Sequence, residues 1–405
     1  MAERLAQDFG SVKYWSHWMT GFSEAKDFLP GLGLPEVERI ADIYDVYDEI
    51  DCAIFTDVGA GGIQERMRKD GIAVFGCGRA QVLELDRYYF RQSLQEKGMA
   101  VANYEVVIGL EELRKVLKKR RDCYVKFSYF RSSSETFHAK HWPTTQLWLD
   151  DLAVILGPYG YIAHFLIEDP IDGEAIEVGA DIFAVNGEIP ENGLWGYEQK
   201  DSCFLGTTNP MPDRLRYNTL QFAEILKEYN YRGVFSTEVR VTKDEEYLTD
   251  PTMRFPSPPS ELECAMMTNF SDVVWEGAHG NLIEPQYSHR YGAMLVLKSE
   301  WIIEHALAVD FGRSDRVYLH GHFRIDGKDF SIVPEEFGEF AGAVGVGDSL
   351  EGAIEEAIDA AESVSAHQLQ FSVSSLNDAM EAIEKGNDLG LTWSGAPKLK
   401  MAIGE

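Results

Sequence analysis

The chain has 405 residues, 45% hydrophobic and 12% aromatic, with 37 Lys and Arg against 67 Asp and Glu, a formal net charge of −30. That length exceeds what one core supports, so two or three domains are expected, and the negative charge argues against binding a nucleic-acid backbone, which needs a basic face. An anionic nucleotide is not excluded, because a local group of Lys, Arg and a metal ion overrides the global field.

In chain order, Ala2–Phe9 reads as a helix with no strand before it. A Rossmann-like domain normally opens on its central strand, so a first strand is expected to be missing, and either the native product begins further upstream or residues 1–75 are locally loose. Apolar residues at Val37, Ile40, Ala41, Ile43, Tyr44 and Tyr47 have helical spacing over 36–48. Strand Cys52–Thr56, the glycine turn 57–62, helix Ile63–Lys69 and strand Ala73–Gly76 make a parallel βαβ pattern. The turn lacks dinucleotide spacing, so close backbone packing is the better account of it.

Helices are predicted over Val82–Gly98 and Leu110–Arg120, and strands over Tyr124–Tyr129, Ile162–Ile167 and Glu177–Val185. Asn186-Gly187 is a hairpin pair, and Leu220–Glu228 is a helix. Tyr318–Ile325 and Phe330–Val333 alternate as strands; Asp348 caps a helix with Glu351, and Leu376–Glu384 stops at Gly386.

The Ser236–Glu261 stretch carries the most chemical information. Ser236–Val241 alternates, Lys243–Glu246 is a polar turn, and Tyr247-Leu248-Thr249 begins a return strand. With the turn near Asp244, Glu238 and Asp250 are cross-strand neighbours, their Cβ atoms roughly 5 Å apart. Two carboxylates so close repel unless a cation sits between them, and Mg²⁺ suits oxygen ligands and arrives with phosphates. The alternative is a solvated acidic hairpin on an acidic protein.

Other candidates weigh less. His138 and His141 lack further ligands nearby, and His320-Gly321-His322 is expected to be part of a strand. Glu198 and Lys200 are either a surface pair or a substrate contact. Five widely spaced cysteines imply neither a zinc site nor a disulfide framework. No run of about 18 apolar residues and no leader is visible, so a cytoplasmic protein without membrane or nucleic-acid partners is expected.

The order of these elements resembles the ATP-grasp superfamily, and most closely phosphoribosylamine–glycine ligase. A helix carries Arg87 and Arg91, a strand carries Lys126 before a Ser-rich loop, a strand ends Leu166-Ile167-Glu168-Asp169, and Glu238 precedes Asp250-Pro251-Thr252-Met253-Arg254. Residues 73–87 and 344–353 look like that family's entry to its central domain and its C-terminal helix. The resemblance spans roughly residues 45–360. It implies an α/β and α+β ATP-grasp fold: a Rossmann-like region over 1–78, an ATP-grasp domain of two subdomains over 79–300, and a C-terminal α+β region over 301–405.

The resemblance also implies ATP with Mg²⁺ (or Mn²⁺) and an ATP-dependent ligase that activates a small-molecule carboxylate as acyl phosphate for attack by an amine-type acceptor. A genuine phosphoribosylamine–glycine ligase and an inactive ATP-binding regulator or scaffold are the alternatives. Lys126 and Arg254 would be catalytic. Arg87, Lys126, Ser132, Ser133, Ser134, Glu168, Asp169, Ile171, Glu174, Glu177 and Lys200 would bind ATP, with Glu177 or Glu174 on the ribose. Glu238, Asp250 and Thr252 would hold the metal. Asp250 and Thr252 stand where the family usually has Glu and Asn, and Pro256–Glu261 departs from it on the acceptor side.

Overall fold

The structure is a computed structural model that describes residues 1–16, 28–129, 135–171, 175–312, 315–333 and 338–393. At the N-terminus α1 (Ala2–Leu5) is shorter than the predicted helix, and β1 (Val12–Tyr14) pairs in parallel with β2 (Val37–Arg39). The helix predicted over 36–48 is therefore corrected: Val37 joins a strand on Val12, and Asp42 accepts from the Tyr44 N–H to start a short 3-10 turn at Ile43–Glu49. β-Branched Val37 favours the extended backbone there. The next unit, β3 (Cys52–Ile54), α2 (Gly61–Lys69) and β4 (Ala73–Phe75), is the expected parallel βαβ. Its glycine turn donates the Gly59 and Gly61 N–H groups to the Gln81 side chain at 3.0 and 2.9 Å, which is packing.

The helix predicted over 82–98 is two helices, α3 (Val82–Leu85) and α4 (Arg87–Glu96). Asp86 breaks it with an extended backbone, and its carboxylate accepts from the Tyr89 N–H at 3.0 Å as an N-cap. Then follow β5 (Tyr104–Ile108), α5 (Leu110–Leu117), β6 (Cys123–Phe127), β7 (Thr136–Ala139), α6 (Trp142–Leu156) and β8 (His164–Glu168). The four strands form an antiparallel sheet in the order β5-β8-β6-β7. Val125, Phe127, Phe165 and Ile167 pack with Leu113, Leu149 and Leu152 of the helices. Because side chains alternate along a strand, Lys126 and Glu168 face the other way.

The larger sheet has eight antiparallel strands. It is built from β9 (Ile176–Val185), β10 (Leu194–Gln199) and β11 (Cys203–Thr207); then, after α7 (Asp213–Lys227), β12 (Arg232–Val241) and β13 (Glu246–Thr252). After α8 (Pro259–Met266) and α9 (Phe270–His279) it gains β14 (Tyr291–Lys298). The chain continues through β15 (Leu307–Phe311), β16 (Val317–Leu319), β17 (Phe323–Ile325), β18 (Lys328–Ser331), β19 (Glu339–Gly347), α10 (Leu350–Glu362), β20 (Val364–Ala366) and α11 (Ser375–Asp388). The strand order is β13-β12-β9-β10-β11-β14-β19-β16, so strands from both sides of residue 300 share this sheet. Strands β17-β18-β15-β20 form a separate sheet.

One face of the large sheet, with Trp195, Tyr197, Leu205 and Leu295, is covered by α7, α10 and α11. The other face, with Leu194, Phe204, Met294 and Val344, packs on Leu262 and Met266 of α8. Towards β13 that second face instead carries carboxylates.

Three further expectations are corrected. The strand predicted over 318–325 is split at Gly321, which has left-handed backbone (φ 51°). Ser349, not Asp348, caps α10, accepting from the Gly352 N–H at 3.2 Å. Helix α11 runs past Gly386, where a Cβ would lie 2.0 Å from the Tyr197 hydroxyl, so that glycine marks a close approach and not a stop. No helix among the described residues is long and apolar enough to cross a membrane.

Candidate active site

Two surfaces face each other across a cleft. The small-sheet side supplies cations. The N-cap at Asp86 sets Arg87 at the first position of α4, and Arg91 follows one turn on, on the same helical face. Lys126 rises from the centre of β6 beside Glu168 on β8. All four are buried.

The large-sheet side supplies acids. The predicted hairpin is present in the predicted register: Glu238 pairs with Asp250, with a bulge just after Glu238, and Ser236 pairs with Thr252. On the next strand Glu238 lies opposite Gly179 and Arg240 opposite Glu177. Glu198 lies two residues past the Gly196–Gly179 pair. Period-two alternation therefore gathers Glu177, Glu198, Glu238 and Asp250 on one face.

The two sides meet at Asp250. Lys126 Nζ is 2.5 Å from its Oδ2, 3.2 Å from the Thr249 carbonyl and 3.4 Å from Glu168. Arg87 Nη1 donates to Asp250 Oδ1 at 2.5 Å, and Nη2 lies 3.5 Å from Glu135. Arg91 grips Glu168 through Nε and Nη2 and donates from Nη2 to the Thr249 carbonyl at 2.7 Å.

These neighbours drive the carboxylates apart in ionisation. Burial opposes ionising Asp250, yet Arg87, Lys126 and Arg91 outweigh it and hold the group well below the usual carboxylate range. Burial also opposes ionising Glu168, and Lys126 and Arg91 again prevail. Glu238 goes the other way. Desolvation, then the charges of Asp250, Glu177 and Glu198, push it far up. Glu238 and Glu198 are open to water yet walled by protein. Desolvation, then Asp181, Glu177 and Asp201, raise Glu198 to about 8.

The donor set suits a hard divalent cation: all oxygen, with no hydrogen bond to the Glu238 carboxylate among the described residues. Among those residues, no three His, Cys, Asp or Glu side chains converge to hold an ion unaided. An ion here would complete its shell with water and phosphate oxygens, as magnesium commonly does.

Of the predicted residues, Arg87, Lys126, Glu168, Glu238 and Asp250 thus come together. Thr252 lies along the same strand face as Asp250. Glu177 is at the rim, paired with Arg240 at 3.0 Å, and Lys200 stands near Glu198. Asp169 pairs with Arg120 at 2.5 Å, and its N–H is already donated to the Asn103 carbonyl at 2.9 Å. Within the stretch expected to read adenine through its backbone, Ile171 is outside the strand ladder. Arg254 bonds Glu84 at 3.1 Å and lies 3.4 Å from Asp57. Ser132, Ser133, Ser134 and Glu174 lie outside the described residues.

Sequence reasoning gave no role to Glu84, which receives the Met253 N–H at 2.6 Å and orients Arg254. Its signal was an acid set between Leu83 and Leu85 on a buried helix. His138 is not a ligand: it bonds Asp122 at 2.9 Å and stacks on Tyr124. His320 and His322 flank the Gly321 break; His320 bonds Glu261 at 2.6 Å, and His322 bonds Glu3 and Asp329, both at 2.9 Å.

No family model and no curated protein matches the sequence. Solved structures do match in fold. Phosphoribosylamine–glycine ligase from Thermotoga maritima superposes with a TM-score of 0.68 at 15% identity, over 91% of this chain and 95% of that one. The Campylobacter jejuni biotin carboxylase, in a β,γ-ATP complex, matches at 0.65 and 13%, over 96% and 94%. The biotin carboxylase domain of 2-oxoglutarate carboxylase from Hydrogenobacter thermophilus, in complex with MgADP, ADP and bicarbonate, matches at 0.63 and 11%, over 88% and 89%. The chain is similar to these in its architecture, which is the ATP-grasp fold.

Proposed function

We propose that the protein is an ATP- and magnesium-dependent ligase that joins a carboxylate to an amine-type acceptor. The observation that carries this reading is the opposition of Arg87 of α4 and Lys126 of β6 to Glu238 and Asp250 of the large sheet, in an ATP-grasp fold.

The chemistry follows from charge. When a carboxylate attacks the terminal phosphoryl group, two anions approach and must be screened. Lys126 and Arg87 are placed to turn from Asp250 to the phosphates. Glu238, Asp250 and Thr252 are the residues that would hold magnesium, which neutralises charge on the phosphate oxygens. Arg254 is held by Glu84 at the edge of the same group and would face the phosphoryl group in transfer. Attack releases ADP and leaves an acyl phosphate; the amine then attacks its carbonyl and inorganic phosphate departs. On this reading Glu177 and Lys200 would make ribose or phosphate contacts at the rim, and Ile171 would contact adenine.

The test is ADP release over a panel of amino acids and small carboxylates, each paired with a set of amines. One pairing is expected to give magnesium-dependent ADP and an amide. Because the stretch after Arg254 departs from the phosphoribosylamine–glycine ligase pattern, that enzyme's substrates are expected to perform poorly. A kcat/KM with them above about 10⁴ M⁻¹s⁻¹, a typical enzymatic value, would favour that narrower function.

A further inference from the structure

Beyond the acidic floor, two more carboxylates, near enough that the charge of Asp181 bears on Glu263, have no use in the scheme above. Asp181 on β9 and Glu263 on α8 are each 1% exposed, and none of their four oxygens has a hydrogen-bond partner. Ser260 is 9% exposed, and its hydroxyl is buried and also unpartnered. It lies three residues before Glu263, on the same face of the helix. Ser236, cross-strand from Asp181, completes the group. No Lys, Arg or His among the described residues bonds either acid.

The group is turned towards the cleft. Asp181 and Gly179 lie on one face of β9, and Gly179 sits opposite Glu238. A Cβ on Gly179 would lie 3.6 Å from Asp181 Oδ2, so the carboxylate leans along the strand over a glycine that is partly open to the cleft. Buried polar groups are nearly always hydrogen-bonded, and those left unpaired call for an explanation. Protonation removes the charge of each acid but still leaves carbonyl oxygens that can accept hydrogen bonds. An anion would be repelled and an apolar group would leave every oxygen unmet. What satisfies several acceptors of negative character is a nitrogen cation with more than one N–H.

We propose that Asp181 and Glu263, with Ser236 and Ser260, form a subsite for an ammonium or guanidinium group carried by one of the two substrates. The assignment to a substrate rests on the ligase reading; the cation preference itself does not. Glycine at position 179 then leaves the passage from the metal carboxylates to this subsite clear, so a substrate bound there has its reactive end beside the phosphates.

The experiment is calorimetry on the full chain, with and without MgADP. The probes are 6-aminohexanoate against hexanoate, which lacks the ammonium, and 1,5-diaminopentane against pentanol. Probes with an ammonium are expected to bind at least tenfold more tightly than their counterparts without one. Asp181→Asn and Glu263→Gln, which keep shape and remove charge, are expected to abolish that preference while MgADP binding is unchanged. Ser260→Ala, a milder change, is expected to weaken cation binding severalfold. The amino-acid and diamine arms separate a cation on the carboxylate substrate from one on the acceptor. Equal binding of probes with and without an ammonium, or an unchanged preference in both charge-removing variants, would overturn the subsite. Saturation of the same carboxylates by magnesium chloride alone would overturn it too. Failure of MgADP to bind with the cation preference intact would instead count against the ligase reading alone.

Discussion

The Glu238–Asp250 pair behaves asymmetrically because its two members have different neighbours. Asp250 is the anion that Arg87 and Lys126 share, whereas no hydrogen bond among the described residues reaches the Glu238 carboxylate. Glu238→Gln is therefore expected to leave thermal stability unchanged. Asp250→Asn should cost on the order of 3 kcal/mol, because it strands two buried cations. Both should lower magnesium-dependent turnover by about 100-fold, the scale of removing one electrostatic stabiliser. Differential scanning calorimetry with initial rates checks both halves. Asp181 gives a pH test. Burial raises it from the ordinary value to about 7, with Ser236 countering only in part. The folded chain then holds a proton that the unfolded chain releases. The Asp181 share of stability falls as pH rises from about 4 to 7, by about 1 kcal/mol per unit, and levels off above, and the raised Glu198 and Glu238 add to the slope. Urea midpoints across that range should show the slope, and Asp181→Asn should make it shallower by the Asp181 share.

At the scale of elements, the hairpin was legible because alternation and one polar turn fix a register, and register fixes which carboxylates meet. The bulge after Glu238 carries no comparable signal, since it depends on how the strands twist in the sheet. Where sequence reading went astray, one residue outweighed a longer pattern. Asp86 interrupted apolar spacing that otherwise ran on, and Val37 paired as a strand although its neighbours had helical spacing. The ordered cations and acids of the cleft were legible in part: Lys126 and Arg87 stood out once their order was seen. The contacts of Glu84, Glu168 and Arg91 were not, because those partners are 77 to 170 residues apart in the chain. Packing between elements gives a further test. A Cβ at Gly345 of β19 would lie 2.0 Å from the Ala353 carbonyl and 2.3 Å from the Ala357 nitrogen of α10. Backbone atoms cannot yield as side-chain ends do. Gly345→Ala should therefore destabilise by about 1–3 kcal/mol, the range for overpacked cores, measured by chemical unfolding.

For the whole molecule the question is how a protein of net charge −30 admits an anionic nucleotide. The small-sheet side concentrates Arg87 and Arg91 of α4 and Lys126 of β6 at one wall; Glu168 of β8 grips Arg91, and the large sheet holds the three cations through Asp250 and the Thr249 carbonyl. Before a nucleotide binds, Arg87 and Lys126 are neutralised by Asp250, an acid that would serve the metal. Phosphate and magnesium must therefore enter together, one taking the cations and the other the carboxylates. Either alone would leave like charges facing each other in a cleft of low dielectric. Isothermal titration of the protein with ATP, with and without magnesium, tests this most directly. Saturable binding that weakens sharply when magnesium is removed is the expected result; no binding up to millimolar ATP in the presence of magnesium would contradict the account.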